Sequence, residues 1–202
     1  MKKFDRFIGL AGMPRAGSTL LGAILDQNPD IHSEGNSAVC DLMWSMQYAC
    51  RVTAQEQLTA NYRISTQRNL VSEIPNIYYK DVKKKIILDK CRVWTEPENF
   101  RMLNEYFHQK PKVIVLERSL TEVLKSCLYV KKINNTLTNQ EWTERELLSP
   151  NSEPIIRSWH GLNWAKKNNH GEFLFISYSD ILINVNNVLD SIYNFIEMPK
   201  FN

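Results

Sequence analysis

A three-layer α/β fold, in which a mainly parallel sheet is flanked by helices, is predicted by three features of this sequence. Short apolar runs of strand character alternate with stretches of helical periodicity along the chain. One run, Lys112-Val113-Ile114-Val115-Leu116-Glu117, is β-branched and unbroken, as suits a parallel strand covered on both faces. The first run passes through a glycine-bearing turn directly into a helical pattern. At 202 residues, 43% hydrophobic and 23% charged, the chain suits one domain spanning residues 1–202. It carries no internal repeat and no low-complexity segment.

The elements follow in order. Phe7, Ile8 and Leu10 form the first strand, Gly12 to Thr19 turn the chain, and Leu20, Leu21, Ile24 and Leu25 give helical spacing until Asn28-Pro29 stops it. A polar loop is expected through Ile31-His32-Ser33-Glu34-Gly35, then a helix over Val39 to Cys50. Residues 55–79 carry Leu58, Tyr62, Ile64, Leu70, Ile74 and Ile77 at loose helical spacing, with Pro75 weakening the last turn. Ile86-Ile87-Leu88 reads as a short buried strand, followed by a helix from about Glu96 to His108. After the strong strand at Lys112, Ser119-x-x-Glu122 has capping-box form, and Leu120, Val123, Leu124, Cys127 and Leu128 supply the apolar helix face. Residues 134–154 are polar and expected as a loop or lid. A helix over Trp159 to Lys167, a strand at Phe173-Leu174-Phe175-Ile176 and a terminal helix through Val188, Leu189, Ile192, Phe195 and Ile196 complete the pattern.

Composition narrows the function. A formal net charge of +3 is too weak to imply a nucleic-acid partner, and the local run of Lys80, Lys83, Lys84 and Lys85 fits a solvated face. Cys40, Cys50, Cys91 and Cys127 show neither a C-x-x-C pair nor zinc spacing with the histidines, so reduced thiols and no metal are expected. The first strand begins too near Met1 for the apolar core of a signal peptide, and no apolar run reaches membrane-spanning length. A cytoplasmic protein without a membrane partner is the expectation.

The stretch Gly12-Met13-Pro14-Arg15-Ala16-Gly17-Ser18-Thr19 carries most of the functional information. Its glycine spacing makes the fold P-loop-like, and amides at the following helix start can cradle a phosphate. Ser18, however, stands where a nucleoside triphosphatase needs its lysine, and Arg15 is the cation in the loop. Pro14, Arg15, Ala16, Gly17, Ser18 and Thr19 resemble the 5′-phosphosulfate loop of sulfotransferases that use 3′-phosphoadenosine 5′-phosphosulfate (PAPS). Arg118 at the end of the strong strand and Ser126 on the next helix match the pair that binds the 3′-phosphate in that family. Tyr178 resembles the family tyrosine near the adenosine, and Asp89-Lys90 the lysine that tyrosylprotein and related Golgi-type sulfotransferases place near the sulfuryl group.

The resemblance covers most of the chain and implies in-line sulfuryl transfer from PAPS to a hydroxyl or amine, with PAP as product and no metal. Arg15 and Lys90 would stabilise charge. Glu34 would be the catalytic base, since tyrosylprotein enzymes carry a glutamate shortly after the same helix; aligned through Asn28-Pro29, Glu34 falls slightly before that position, and His32 is the nearby substitute. Ser119-Leu120 replaces the Asp-Pro or Asn-Pro that often follows the family arginine, and larger relatives add a closing segment after the point where this chain reaches Asn202. A homodimer, or a partner subunit completing that lid, is compatible with the sequence. The acceptor surface is expected from residues 36–79 and 131–154, with Trp44, Tyr48, Tyr62 and Trp142 as candidate lining; a protein tyrosine, a sugar hydroxyl and a small metabolite remain open as acceptors. The competing readings are a small-molecule or nucleotide kinase, which needs the missing lysine and a magnesium-binding carboxylate, and a non-catalytic PAPS- or PAP-binding protein.

Overall fold

A computed structural model describes residues 4–107, 109–134, 147–148 and 153–201. Five strands form one sheet in the order β2-β3-β1-β4-β5: β1 Arg6–Gly12, β2 Ile31–Asn36, β3 Ile86–Lys90, β4 Lys112–Glu117 and β5 Phe173–Ser177. Every pairing is parallel, so the expectation of a mainly parallel sheet is met in full among the described strands.

Side-chain alternation along each strand divides the core into two halves. Phe7, Ala11, Ile87, Val113, Val115 and Phe173 point to one face. There they meet Val39, Cys40 and Met43 of α2 (Val39–Tyr48), Val71 of α4 (Thr66–Tyr78), Met102, Leu103 and Tyr106 of α5 (Pro97–Tyr106), and Leu162 and Ala165 of α7 (Glu153–Lys167). The intervening residues Ile8, Leu10, Ile86, Leu88, Ile114 and Leu116 point the other way. They meet Leu21 and Leu25 of α1 (Ser18–Leu25), Ile181 of α8 (Tyr178–Ile183), and Val188 and Ile192 of α9 (Val185–Phe195). Helices on both faces of a parallel sheet give the three layers, because a parallel strand must cross over before it can pair. The helix after β4, α6 (Leu120–Asn134), begins with half of the expected capping box: the Glu122 amide donates to Ser119 Oγ, while Glu122 Oε2 accepts from the Ser119 hydroxyl in place of its amide.

Several elements differ from expectation. The polar segment after α1 is the edge strand β2, paired with β3 from Ile31↔Ile86 and bulged between Ser33 and Asn36. Its apolar content is a single buried residue, Ile31, so no period-two pattern marks it in the sequence. The long helical stretch is broken: α3 (Gln55–Ala60) ends at Asn61 and Tyr62, whose left-handed φ of 54° closes the helix before α4 begins. Past α2 the chain continues as a π-helical turn over Ala49–Thr53. The helix expected from Trp159 already starts at Glu153. After β5, Ser177 caps α8 by accepting from the Ser179 amide, and Asn184 does the same for α9 through Asn187. Most of the polar segment 134–154, including Trp142, lies outside the described residues. No helix among the described residues is long and apolar enough to cross a membrane.

Parallel register brings the strand ends that matter to one edge. Leu10 pairs with Lys90, Gly12 with Leu116, and Glu117 with Ser177. The loop after β1, Lys90, Arg118 and Tyr178 therefore share the carboxyl edge of the sheet, where ligands bind in open α/β folds.

Candidate active site

The turn from β1 into α1 depends on two glycines. Gly12, at φ 141°, passes so close to β4 that a Cβ would lie 2.7 Å from the Leu116 carbonyl oxygen. Gly17, at φ 96°, is the N-cap of α1, and a Cβ there would lie 2.5 Å from the Tyr178 ring. Between them Arg15 adopts a left-handed φ of 65°. No side chain caps α1 and no acidic residue occupies its first turn. Its leading amides thus point into the cleft with the positive end of the helix dipole.

Around this turn lies a cleft of about 260 Å³, lined by Pro14, Arg15, Gly17, Ser18, Thr19, Leu20, Lys90, Arg92, Arg118 and Tyr178. Four of these residues are cations and none is a carboxylate, so the cleft focuses positive potential on an anion. Each of three cations is anchored. Lys90, buried to 8% exposure, donates from Nζ to Thr19 Oγ1 at 2.8 Å. Burial, with the nearby charge of Arg92, holds the Lys90 ammonium below its ordinary pKa. Arg15 Nε donates to Ser126 Oγ at 3.1 Å. Arg118 donates from NH1 to the Arg15 carbonyl at 2.8 Å, and its guanidinium carbon stands 4.4 Å from the Tyr178 ring centre. Arg118 Nε is buried without a hydrogen-bond partner, the Glu122 carboxylate being 3.9 Å away. A buried guanidinium donor without a hydrogen-bond partner at a basic cleft suits an anionic ligand that is able to accept from it.

The structure thus brings Pro14, Arg15, Gly17, Ser18, Thr19, Lys90, Arg118 and Tyr178 together, as the sequence expected. Ala16 is fully buried beneath the turn and Ser126 joins through its bond to Arg15. Glu34 does not line the cleft. It stands on the bulged end of β2 with Oε2 3.4 Å from His32 Nε2, and its charge reaches Tyr79 and Asp89. The His32 ring meets Tyr79 edge-on at 5.7 Å.

Asp89 and Lys90 show how the sheet sorts this region. Consecutive strand residues face opposite sides, so Lys90 reaches α1 while Asp89 enters the other layer. There Asp89, 0% exposed, accepts from Tyr79 Oη and Trp94 Nε1, each at 2.7 Å. Burial pushes its carboxyl above the ordinary range, opposed by donors Ser37, Tyr79 and Trp94 and reinforced by the charge of Glu34. Leu20 and Arg92 are cleft residues that sequence reasoning missed. Arg92's signal was its place two residues beyond Lys90 in a chain leaving the strand end. Of the aromatic residues expected near an acceptor, Trp44 is tied to Asn99 at 2.6 Å, while Tyr48 and Tyr62 are 62% and 96% exposed.

Gly17→Ala should destabilise the protein by more than about 1 kcal/mol in a urea melt, since it combines left-handed strain with the ring contact. Tyr178→Ala added to that variant should recover part of the loss; strictly additive losses would show that the contact is unimportant.

The comparisons with known proteins agree with this geometry. A family model described as the sulfotransferase family matches residues 8–202. No curated protein sequence matches significantly. Among solved structures, the sulfotransferase domain of the curacin biosynthetic pathway shares 17% identity at TM-score 0.64, covering 99% of this chain and 76% of that one. The sulfotransferase domain of the olefin synthase of Synechococcus PCC 7002 shares 16% at 0.66, covering 100% and 76%. A sulfotransferase from Alicyclobacillus acidocaldarius shares 13% at 0.59, covering 98% and 83%. These likenesses carry the fold; the family match, spanning nearly the whole chain and meeting a P-loop-like turn without its lysine, identifies the chain as a member of the sulfotransferase family, an enzyme of sulfuryl transfer.

Proposed function

We propose that the donor is PAPS and that the cleft at the β1–α1 turn binds it. The observation that carries this reading is the convergence of Arg15, Lys90, Arg92 and Arg118 on one cleft that no described carboxylate lines, with a buried Arg118 Nε that lacks a hydrogen-bond partner at its wall. The residues fit the ligand's two anionic ends. Amides of Ser18 and Thr19 at the start of α1 suit the 5′-phosphosulfate, and Arg118 with Ser126 suits the 3′-phosphate through a forked set of donors and a hydroxyl. Tyr178, already against Arg118, offers a ring beside the adenosine.

Bound there, PAPS supplies a sulfuryl group that a hydroxyl acceptor displaces in line, with PAP as the other product. Arg15 and Lys90 stabilise the charge that gathers on the leaving phosphate. Glu34 takes the acceptor proton, a role supported by its exposed carboxylate at the carboxyl end of β2 and by His32 beside it. A hydroxyl on a protein tyrosine, a sugar or a small metabolite is the acceptor. The described cysteines stand free, which supports a reducing, cytoplasmic setting.

Calorimetric titration with PAP, beside ATP and magnesium, tests the donor class: PAP should bind and ATP should not, whereas the reverse would point to a kinase. Arg118→Ala should weaken PAP binding roughly tenfold to a hundredfold, the worth of charged hydrogen bonds, and weaken binding of the 3′-dephosphorylated analogue much less. Equal losses would remove the 3′-phosphate from Arg118. Glu34→Gln should keep PAP affinity and slow transfer strongly, and unchanged turnover would move the base to His32 or elsewhere.

A further inference from the structure

We propose that Arg92 holds the transferring sulfuryl group, standing between the donor cleft and a second cleft through which the acceptor approaches. This rests on the PAPS reading of the first cleft. The second cleft, about 250 Å³, opens at the carboxyl ends of β2 and β3 and is lined by Asn36, Ser37, Asp41, Cys91, Arg92 and Arg157, with Val93. Among the described residues Arg92 is the one that lines both clefts. In-line transfer sets the entering and leaving oxygens on opposite sides of sulfur. A sulfuryl group passing from one cleft to the other therefore crosses the wall they share.

The engagement of the other cations supports the same role. Lys90 gives a donor to Thr19, Arg15 to Ser126 and Arg118 to the Arg15 carbonyl. Arg157 is paired with Glu96 through two bonds of 2.7 and 2.6 Å. No hydrogen bond or ion pair among the described residues holds the half-buried Arg92 guanidinium. Its charge reaches Lys90 and Cys127 of α6. A planar guanidinium with its donors uncommitted matches the oxygens of a sulfuryl group. In the transfer the acceptor oxygen forms a bond to sulfur, the bond from sulfur to the bridging oxygen breaks, its electron pair stays on the 5′-phosphate, and the acceptor proton goes to the base.

Since PAP and PAPS differ only in the sulfuryl group, their separate affinities read this contact without knowledge of the acceptor. In calorimetric titrations Arg92→Ala should weaken PAPS binding about tenfold more than it weakens PAP binding, with Arg92→Lys intermediate. Equal weakening of both ligands, or unchanged PAPS binding, would overturn the assignment; the lysine variant answers the question if the alanine variant folds poorly. Wild-type protein that fails to bind PAP would instead sink the donor reading itself, a separate readout. Slow hydrolysis of PAPS to PAP and sulfate tests the direction of approach, because water must enter by the acceptor's route. Asn36→Trp, which fills the second cleft, should slow that hydrolysis at unchanged PAPS affinity; an unchanged rate would place the acceptor elsewhere.

Discussion

The close passage of the β1–α1 turn beneath β4 and Tyr178 is the constraint on which the site depends. Gly12 clears the Leu116 carbonyl and Gly17 clears the Tyr178 ring only because neither carries a Cβ. That clearance lets Arg15 take its left-handed conformation and turns the first amides of α1 toward the cleft. Arg118 then fastens the turn from the neighbouring strand, donating to the Arg15 carbonyl while lying against Tyr178. Three segments distant in sequence thus fix one another at a single point, and the basic cleft takes its shape there.

The alternation of β3 has a comparable consequence for charge. Asp89 and Lys90 are adjacent in the chain yet face different layers, so neither neutralises the other. Asp89 is enclosed by Tyr79 and Trp94, and Lys90 turns to the cleft, bonded to Thr19. The buried carboxylate costs desolvation that two strong donors offset. Its position holds Trp94 and Tyr79 against the sheet directly behind the site.

Much of the site was legible because its signals are local. Pro14 to Thr19 must be contiguous to form a turn, and Arg118 follows an unmistakable strand, so the register of a parallel sheet leaves little freedom in where they meet. The edge strand β2 was not legible, since one buried isoleucine gives no periodicity and its pairing with β3 supplies what its side chains do not. The break at Tyr62 was hidden for a similar reason: a left-handed residue without glycine leaves no mark in composition. Arg92 escaped notice because a cation past a strand end looks like any exposed arginine until the two clefts it separates exist.

The sequence by itself determined the α/β class, the phosphate-type turn and the family to which the chain belongs, because each rests on short-range patterns of glycine, apolar spacing and strand composition. Only the tertiary structure decided which cations share one cleft, that Glu34 stands on an edge strand beside His32 apart from that cleft, and that Arg92 borders a second one. Those facts depend on sheet order and on the face each strand residue turns toward, and they arise from contacts between segments whose spacing in the chain carries no record of them.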